Sequence, residues 1–311
     1  MMDRKRIRGI QAILPTPYKD DLEIDYNDLE KCVEFCAASS VHGIVTTVNA
    51  SEFQLLSENE RKEVIKTVCK RADGRMSVMA GITGKTVQET LTYAKCAKEY
   101  GAQSVIAMPP YVSHIKEEEI YEFYRRLNEE ADIPVVIQNF VGPVGTEMSV
   151  DLLLRMTSDF ENIQYIKEET ERAPQMISKI LERTKEFPDA ALSGVLGGMS
   201  GRQVIQEFYR GACGCMPACL VADVLVKLWN ALENGEKDLA EELYAKLLPI
   251  IVYDGVYPII AYKEVLKRRG VIKNSCTRLG AWGRLDQENH RELTKILETL
   301  EPYFTENWEN K

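Results

Sequence analysis

The stretch Ile163-Gln-Tyr-Ile-Lys-Glu-Glu-Thr170 is a short apolar run that ends in one lysine and two glutamates. A run of this length and composition predicts a buried β-strand. Side chains alternate along a strand, so Lys167 and Glu169 share one face while Glu168 points to the other. If Lys167 lies on a buried face, burial disfavours its ammonium form, as a lysine that attacks a ketone requires. The competing interpretation is a surface ion pair between this lysine and a glutamate.

Seven further strand-like runs accompany this one along the chain, with amphipathic helical stretches between them. The alternation predicts parallel strands, and eight evenly spaced βα units favour an α/β fold of the closed (β/α)8 TIM-barrel type over a doubly wound sheet. Helix start signals stand at Asp25, Ser57, Ser149 and Ser200. The other predicted strands cover residues 9–15, 43–48, 77–82, 104–108, 135–140, 191–195 and 214–218.

The last third of the chain shows helical patterns without strands. We therefore predict a barrel over residues 1–220 and a helical extension of the same domain over residues 221–311. In such a barrel the carboxyl ends of the strands face the active site, which is where the lysine of the sixth strand would stand.

Composition and charge exclude several classes of function. The 311 residues contain 39 Lys and Arg against 48 Asp and Glu, a formal net charge of −9, and the basic residues are dispersed among acids. Nucleic acid is therefore not an expected partner. No apolar run has the length of a membrane span or the features of a secretory signal, so we expect no membrane association and a cytoplasmic location.

Eight cysteines lie in apolar segments, and in a chain without an export signal we expect reduced core thiols. Two groups, Cys32/Cys36 and Cys213/Cys215/Cys219, raise the possibility of a metal site. Neither contains a Cys-x2-Cys pair, and only three histidines are available to complete a zinc set. We therefore predict no metal.

Three motifs give the chain a family resemblance. Pro15-Thr16-Pro17 ends the first strand, Pro109-Pro110-Tyr111 ends the fourth, and Tyr165-Ile166-Lys167-Glu168 forms the sixth. Together they resemble the dihydrodipicolinate synthase/N-acetylneuraminate lyase family of class I Schiff-base barrels over nearly the whole chain. The resemblance implies a Schiff base between Lys167 and a small 2-keto acid, a homo-oligomer (dimer or tetramer), and no cofactor, since the iminium itself serves as the electron sink.

Four departures from the family pattern narrow the expected activity. The usual Gly-Thr-Thr-Gly-Glu loop reads Val48-Asn49-Ala50-Ser51-Glu52, and the catalytic tyrosine that ends the fifth strand is Gln138. Pro143 takes the place of the synthase's carboxylate-binding arginine, and Val112 that of the second tyrosine after strand four. These changes argue against dihydrodipicolinate synthesis and weaken aldol cleavage, because Gln138 cannot accept a proton at neutral pH.

The remaining pattern resembles the sugar-acid dehydratase branch of the family, especially 2-keto-3-deoxy-L-arabonate dehydratase. That branch shows an Asn-x-Ser-Glu loop, a glutamine in place of the tyrosine, and a glutamate two places after the lysine. The resemblance implies that Lys167 forms the Schiff base and Glu169 removes the C3 proton. Gln138 would hydrogen-bond a substrate hydroxyl or orient the leaving group, and Tyr111 is the remaining catalytic candidate, since it or a substrate carboxylate could substitute for the missing tyrosine in aldol cleavage.

The loop and three glycines complete the expected site. The loop precedes a helix, so its backbone N–H groups and the Ser51 hydroxyl are suited to a substrate carboxylate. Three glycines near strand seven would let the substrate tail approach closely. The predicted substrate-binding residues are Asn49, Ala50, Ser51, Gly194, Gly197 and Gly198.

Other interpretations stay open from sequence. Ser51 could serve only as a helix cap, Glu52 could be structural, and Tyr111 could simply pack at the rim. His42 and His114 receive no catalytic role. For the whole chain, the alternatives to a dehydratase are an aldolase of a 2-keto-3-deoxy acid, a dihydrodipicolinate synthase-like pyruvate-dependent aldolase, and a non-catalytic keto-acid sensor.

Overall fold

The computed structural model describes residues 7–111, 115–142 and 145–305. Eight parallel strands follow one another around a closed barrel in chain order, with the eighth paired to the first. The predicted TIM barrel is thereby confirmed. The strands are β1 (Gly9–Ile13), β2 (Gly43–Thr46), β3 (Ser77–Gly81), β4 (Ser104–Ala107), β5 (Val135–Phe140), β6 (Ile163–Glu169), β7 (Gly194–Gly197) and β8 (Gly214–Cys215).

Strand β7 differs most from its predicted span of residues 191–195. Its pairing with β6 runs from Tyr165 opposite Gly194 to Lys167 opposite Leu196, so the strand begins at a glycine. Glycine has low strand propensity, so the predicted strand was placed too early in the chain, on the apolar pattern that precedes this glycine. The neighbouring strand fixes this register, which composition alone does not reveal.

Helices separate the strands and continue after the last one. The start signals at Asp25, Ser57 and Ser149 are N-caps that accept backbone N–H groups of the following turn. The helices are α1 (Tyr26–Ala38), α2 (Glu58–Ala72), α3 (Val87–Glu99), α4 (Glu117–Ala131), α5 (Val150–Asp159), α6 (Ala173–Arg183), α7 (Val204–Phe208), α8 (Ala222–Asn234), α9 (Lys237–Val256), α10 (Ile260–Arg268) and α11 (Gln287–Leu300).

The prediction that Ser200 starts a helix is wrong. Ser200 lies in a turn with φ 57°, and α7 begins only at Val204. The serine hydroxyl instead donates to Asp254 Oδ2 of α9.

The C-terminal helices form the predicted extension. Helix α8 packs against β1 and completes the eighth βα unit, whereas α9 packs on α8 and carries α10 and α11. The boundary that we placed after residue 220 therefore falls inside the last barrel unit. None of the helices in the described ranges is long and apolar enough to cross a membrane.

The hydrophobic core has two layers. The outer layer lies between strands and helices, and the inner layer fills the barrel with about one side chain from each strand. Full burial of such a side chain contributes about 1.5–3 kcal/mol. This inner layer forms an apolar floor beneath the carboxyl ends of the strands. Its members include Ile13, Val45, Met79, Ile106, Val136, Tyr165, Leu196 and Met216.

Candidate active site

Lys167 and Glu169 lie together inside the mouth of the barrel. Tyr165 belongs to the inner floor, so alternation along β6 also directs the next two odd positions inward. Both side chains are buried, and Lys167 Nζ lies 2.8 Å from Glu169 Oε2. The surface ion pair considered from sequence is therefore wrong, because this pair stands inside the barrel.

Gln138 joins the pair from the neighbouring strand. Its Cα is paired with that of Lys167 in the β5–β6 ladder, which brings its side chain to the same level of the mouth. Gln138 Nε2 donates to Glu169 Oε2 at 2.7 Å. One carboxylate oxygen therefore contacts both the Lys167 amine and the Gln138 amide.

The other oxygen of Glu169 is held by backbone. Met199 N–H donates to Oε1 at 3.1 Å from the turn that follows β7. This turn can approach because Gly198 has no side chain; a Cβ there would overlap the Glu169 carboxylate. Gly198 was predicted to make room for substrate, but the room beside it is occupied by Glu169. A backbone donor has no sequence signature, so Met199 could not be predicted as part of the site.

Glu168 points away from the mouth, as alternation predicts. Its carboxylate accepts hydrogen bonds from Asn139 Nδ2 at 2.8 Å and from the Thr170 N–H at 2.9 Å. Asn139 in turn accepts the Met148 N–H, which ties the start of α5 to the barrel. Burial raises the pKa of Glu168, and these donors oppose that shift. This glutamate supports structure rather than the reaction.

The loop after β2 is anchored from inside. Ser51 is buried, and its Oγ donates to the Leu14 carbonyl at 2.6 Å, while Thr16 Oγ1 donates to the Ser51 carbonyl at 2.7 Å. Ser51 therefore does not cap α2, which begins at Glu58 behind Ser57. Its hydroxyl proton and its N–H are both engaged within the protein. A substrate carboxylate would have to use the neighbouring loop groups.

Asn49 and Ala50 form the half-buried part of this loop. Asn49 Oδ1 accepts Gln54 Nε2 at 2.8 Å, and its Nδ2 lies 4.0 Å from Met108 Sδ at the end of β4. The Asn49 side chain therefore spans from the β2 loop to the neighbouring strand ends.

Glu52 is a structural anchor, in line with the alternative left open from sequence. Its carboxylate pairs with Lys263 Nζ of α10, and both side chains are completely buried. The second oxygen accepts the Arg278 N–H at 3.3 Å. These contacts fasten the loop to the C-terminal extension.

Tyr111 stands at the rim, where its ring packs edge-on against Phe53 with centroids 5.8 Å apart. Burial raises its pKa, so the hydroxyl is protonated at neutral pH. The structure does not bring Tyr111 into hydrogen-bond contact with Lys167 or Glu169 among the described residues. The predictions for Val112, His114 and Pro143 lie outside the described residues.

Two of the glycines predicted to bind substrate lie against protein side chains. Gly194 starts β7 two residues below Leu196, and its Cα packs against Cys213. Gly197 faces outward, where a Cβ would overlap the carboxylate of Glu207. Protein side chains thus fill the space expected for substrate, and we no longer assign these two glycines to substrate binding.

Glu207, from the short helix α7, was missed by the sequence analysis. It is buried, and its Oε2 has no hydrogen-bond partner within the described part of the chain. Burial, and then the charges of Glu169 and Glu168, raise its pKa to about 8. Glu207 is therefore predominantly a neutral acid at pH 7. Its carboxyl group lies against Gly197, the last residue of β7, and the turn that follows this strand donates to Glu169.

The cysteines do not assemble a metal site in the described residues. Cys32, Cys36, Cys215 and Cys219 are buried thiols. Among residues 7–111, 115–142 and 145–305, no three His, Cys, Asp or Glu side chains are grouped to hold a metal ion.

Comparison with known proteins agrees with the fold. A model of the dihydrodipicolinate synthetase family matches residues 6–300. The chain is 28% identical over 96% of both chains to L-2-keto-3-deoxyarabonate dehydratase of Azospirillum brasilense. It is 31% identical to 4-hydroxy-tetrahydrodipicolinate synthase of Pelodictyon phaeoclathratiforme, over 88% of this chain and 91% of that one. Dihydrodipicolinate synthase of Rhodopseudomonas palustris superposes with a TM-score of 0.88 at 25% identity, over 96% of this chain and 98% of that one.

Proposed function

The chain belongs to the dihydrodipicolinate synthetase family, and from this premise we propose that it is a Schiff-base-forming dehydratase of a 2-keto-3-deoxy sugar acid. The family membership makes it a lyase; the carbon–oxygen bond cleavage and the substrate are our proposal. The first substrate to test is 2-keto-3-deoxy-L-arabonate, the compound named in the 28% identical relative.

The proposal rests on one observation. A carboxylate contacts the lysine nucleophile, and a glutamine occupies the position where aldol cleavage would need a proton acceptor. Glu169 contacts Lys167 at 2.8 Å, while Gln138 only donates, at 2.7 Å, to the same carboxylate. A base beside the lysine suits removal of a proton from the carbon next to the imine. An amide cannot deprotonate a C4 hydroxyl.

The reaction would begin at Lys167. Its Nζ attacks the C2 ketone as the free amine, after the ammonium has released a proton to solvent, and gives a carbinolamine. Loss of the C2 oxygen as water, with a proton from solvent, leaves an iminium, and the apolar floor beneath it strengthens its pull on the C3–H bond.

Glu169 would then remove a proton from C3. C3 is two bonds from Nζ, so a carboxylate that contacts Nζ is also within reach of a C3 proton. The electrons of the C3–H bond move towards the iminium and give an enamine, which then expels the C4 oxygen, so that the C3–C4 double bond forms and the iminium is restored. The hydroxyl leaves as water with a proton from Glu169. Gln138 is placed to orient that hydroxyl. Proton shifts and hydrolysis of the imine would release 2-ketoglutarate semialdehyde and free Lys167.

The β2 loop would hold the substrate carboxylate. Because the Ser51 and Glu52 N–H groups are already bonded to carbonyls of Val48 and Asn49, we assign this role to the N–H groups of Asn49 and Ala50 and to the Asn49 side chain. Ser51 contributes by holding the loop in place. A homo-oligomer and a cytoplasmic location belong to the same proposal.

Product analysis tests the proposal. The protein is incubated with 2-keto-3-deoxy-L-arabonate, and products are identified by mass spectrometry. A dehydratase gives a keto acid lighter by one water, whereas pyruvate with glycolaldehyde would mean aldol cleavage. Glu169→Gln should abolish water loss, and Glu171→Gln, an exposed neighbour on the next loop, is the matched control. Binding without either product would favour the keto-acid sensor.

A further inference from the structure

The turn after β7 has an unfavourable backbone. Met199, Ser200 and Gly201 follow one another with φ of 49°, 57° and 82°. Left-handed conformations cost a residue with a side chain roughly 1–2 kcal/mol and persist only where surrounding contacts impose them. Two consecutive non-glycine residues in this region therefore require an explanation.

The strained turn presents one group to the active site. Met199 N–H donates to Glu169 Oε1 at 3.1 Å and is the one donor to that oxygen within the described ranges, whereas Lys167 and Gln138 both contact Oε2. The orientation of the carboxylate about its own axis therefore depends on the turn. Without the Met199 contact, Oε1 would lose its protein donor and the carboxylate could rotate about its contacts at Oε2.

A carboxylate in the C-terminal extension fastens the turn. Ser200 Oγ donates to Asp254 Oδ2 at 2.5 Å, and Asp254 lies near the end of α9. Asp254 is 5% exposed, and its Oδ1 has no hydrogen-bond partner within the described ranges. Burial raises its pKa to about 6.

Fold stability does not account for Asp254. An unpaired carboxyl group in a buried position destabilises the folded state, and an apolar residue there would be less costly. Its one hydrogen bond among the described residues goes to the strained turn. A second contact from α9, the Tyr244 hydroxyl donating to the Arg202 carbonyl, holds the residue just after that turn.

We propose that Asp254 is a positioning residue for Glu169: through Ser200 it holds the Met199 N–H against the carboxylate that removes the C3 proton. The inference rests on the proposed function of Glu169. It gives the C-terminal extension a part in the reaction, because α9 then sets the orientation of the base. Lys167 is positioned independently by β6, so Schiff-base formation does not depend on this contact.

The test separates the two steps. Asp254→Ala and Ser200→Ala are compared with wild type for turnover of 2-keto-3-deoxy-L-arabonate and for the rate of borohydride-trapped adduct at Lys167. We expect kcat to fall by about tenfold or more, the value of one hydrogen bond to a charged group, with trapping within about twofold of wild type. Asp254→Asn retains an acceptor for Ser200 and should restore most of the loss. Ser200→Gly, which also relieves the strain, should retain more activity than Ser200→Ala.

Asp28→Ala is the matched control. Asp28 is also buried, and its Oδ2 likewise holds the C-terminal part of the chain, through the Lys273 N–H at 2.6 Å, but it does not contact the turn. The Asp28→Ala variant should be less stable than wild type, but the ratio of its kcat to its rate of adduct trapping should stay that of wild type. Equal losses of trapping and turnover in the Asp254 and Asp28 variants, or an unchanged kcat in Asp254→Ala, would overturn the inference.

Hydrogen exchange keeps the two proposals distinguishable. The Met199 amide should exchange slowly in wild type and faster in Asp254→Ala, while amides of β6 keep their protection. If wild type forms no adduct, the proposed function fails, and this exchange result alone decides whether Asp254 holds the turn. Unchanged protection of Met199 would refute the inference.

Discussion

Glu169 Oε2 lies 2.8 Å from Lys167 Nζ, and both groups project from one face of β6 above an apolar floor. The pair combines the nucleophile with a base that can reach the carbon beside the imine. Neutralising or displacing the base should therefore affect proton removal without removing the nucleophile.

Glu169→Gln should keep adduct formation and lose turnover. The amide cannot accept the C3 proton, and general-base contributions are typically about 10²–10⁴-fold in rate. Steady-state kinetics and mass analysis of trapped protein measure the two effects separately. Turnover within a fewfold of wild type would remove Glu169 from the mechanism.

Gly198→Ala should resemble the loss of the base. Its Cβ would overlap the Glu169 carboxylate and displace it from Met199, so turnover should fall by at least tenfold while the protein stays folded. Gly255→Ala is the matched control, because a Cβ there meets nothing within 4 Å. Equal activities of the two variants would contradict the placement of Glu169.

Glu207 should make stability depend on pH. Its folded pKa of about 8 exceeds the ordinary 4.5, so the folded state keeps a proton that the unfolded chain releases. Stability is thus lost as pH rises from about 4.5 to 8. In Glu207→Gln this loss is absent, and the variant should gain roughly 3 kcal/mol relative to wild type between pH 5 and 8. Urea unfolding across that range measures it, and parallel curves would refute it.

Removing only one partner of the buried Glu52–Lys263 pair should destabilise the folded protein. Lys263→Met leaves a buried carboxylate without its partner and should lower the free energy of unfolding by about 3–5 kcal/mol. The double variant Glu52→Gln/Lys263→Met should recover part of that loss. Lys66→Met, which breaks an exposed helix pair with Glu63, should cost at most about 1 kcal/mol. Urea unfolding of the three variants tests this, and equal losses in Lys263→Met and Lys66→Met would show that the buried pair contributes little.

The local sequence pattern was sufficient to predict much of the fold and the two residues at the centre of the site. Alternation along 163–170 correctly placed Lys167 and Glu169 on one face and Glu168 on the other, since strand geometry is local. Counting βα units led to the closed barrel.

Contacts between distant segments were not accessible in the same way. Gly197 and Gly198 were predicted to admit substrate, but the space beside them is filled by Glu207 and Glu169. Ser200 appeared to be a helix cap, whereas its partner, Asp254, lies 54 residues later in the extension. The type of a residue indicates its local conformational preference. Which distant side chain contacts that residue depends on how the helices pack on the barrel.

Mapping the borohydride-trapped adduct tests the central claim most directly. Wild type is incubated with 2-keto-3-deoxy-L-arabonate and separately with pyruvate, reduced with borohydride, digested and analysed by mass spectrometry. Lys263, a fully buried lysine on α10, serves as the internal comparison. The account predicts one reduced adduct, on Lys167, that disappears in Lys167→Met. An adduct at another lysine, or no adduct with either keto acid, would contradict it.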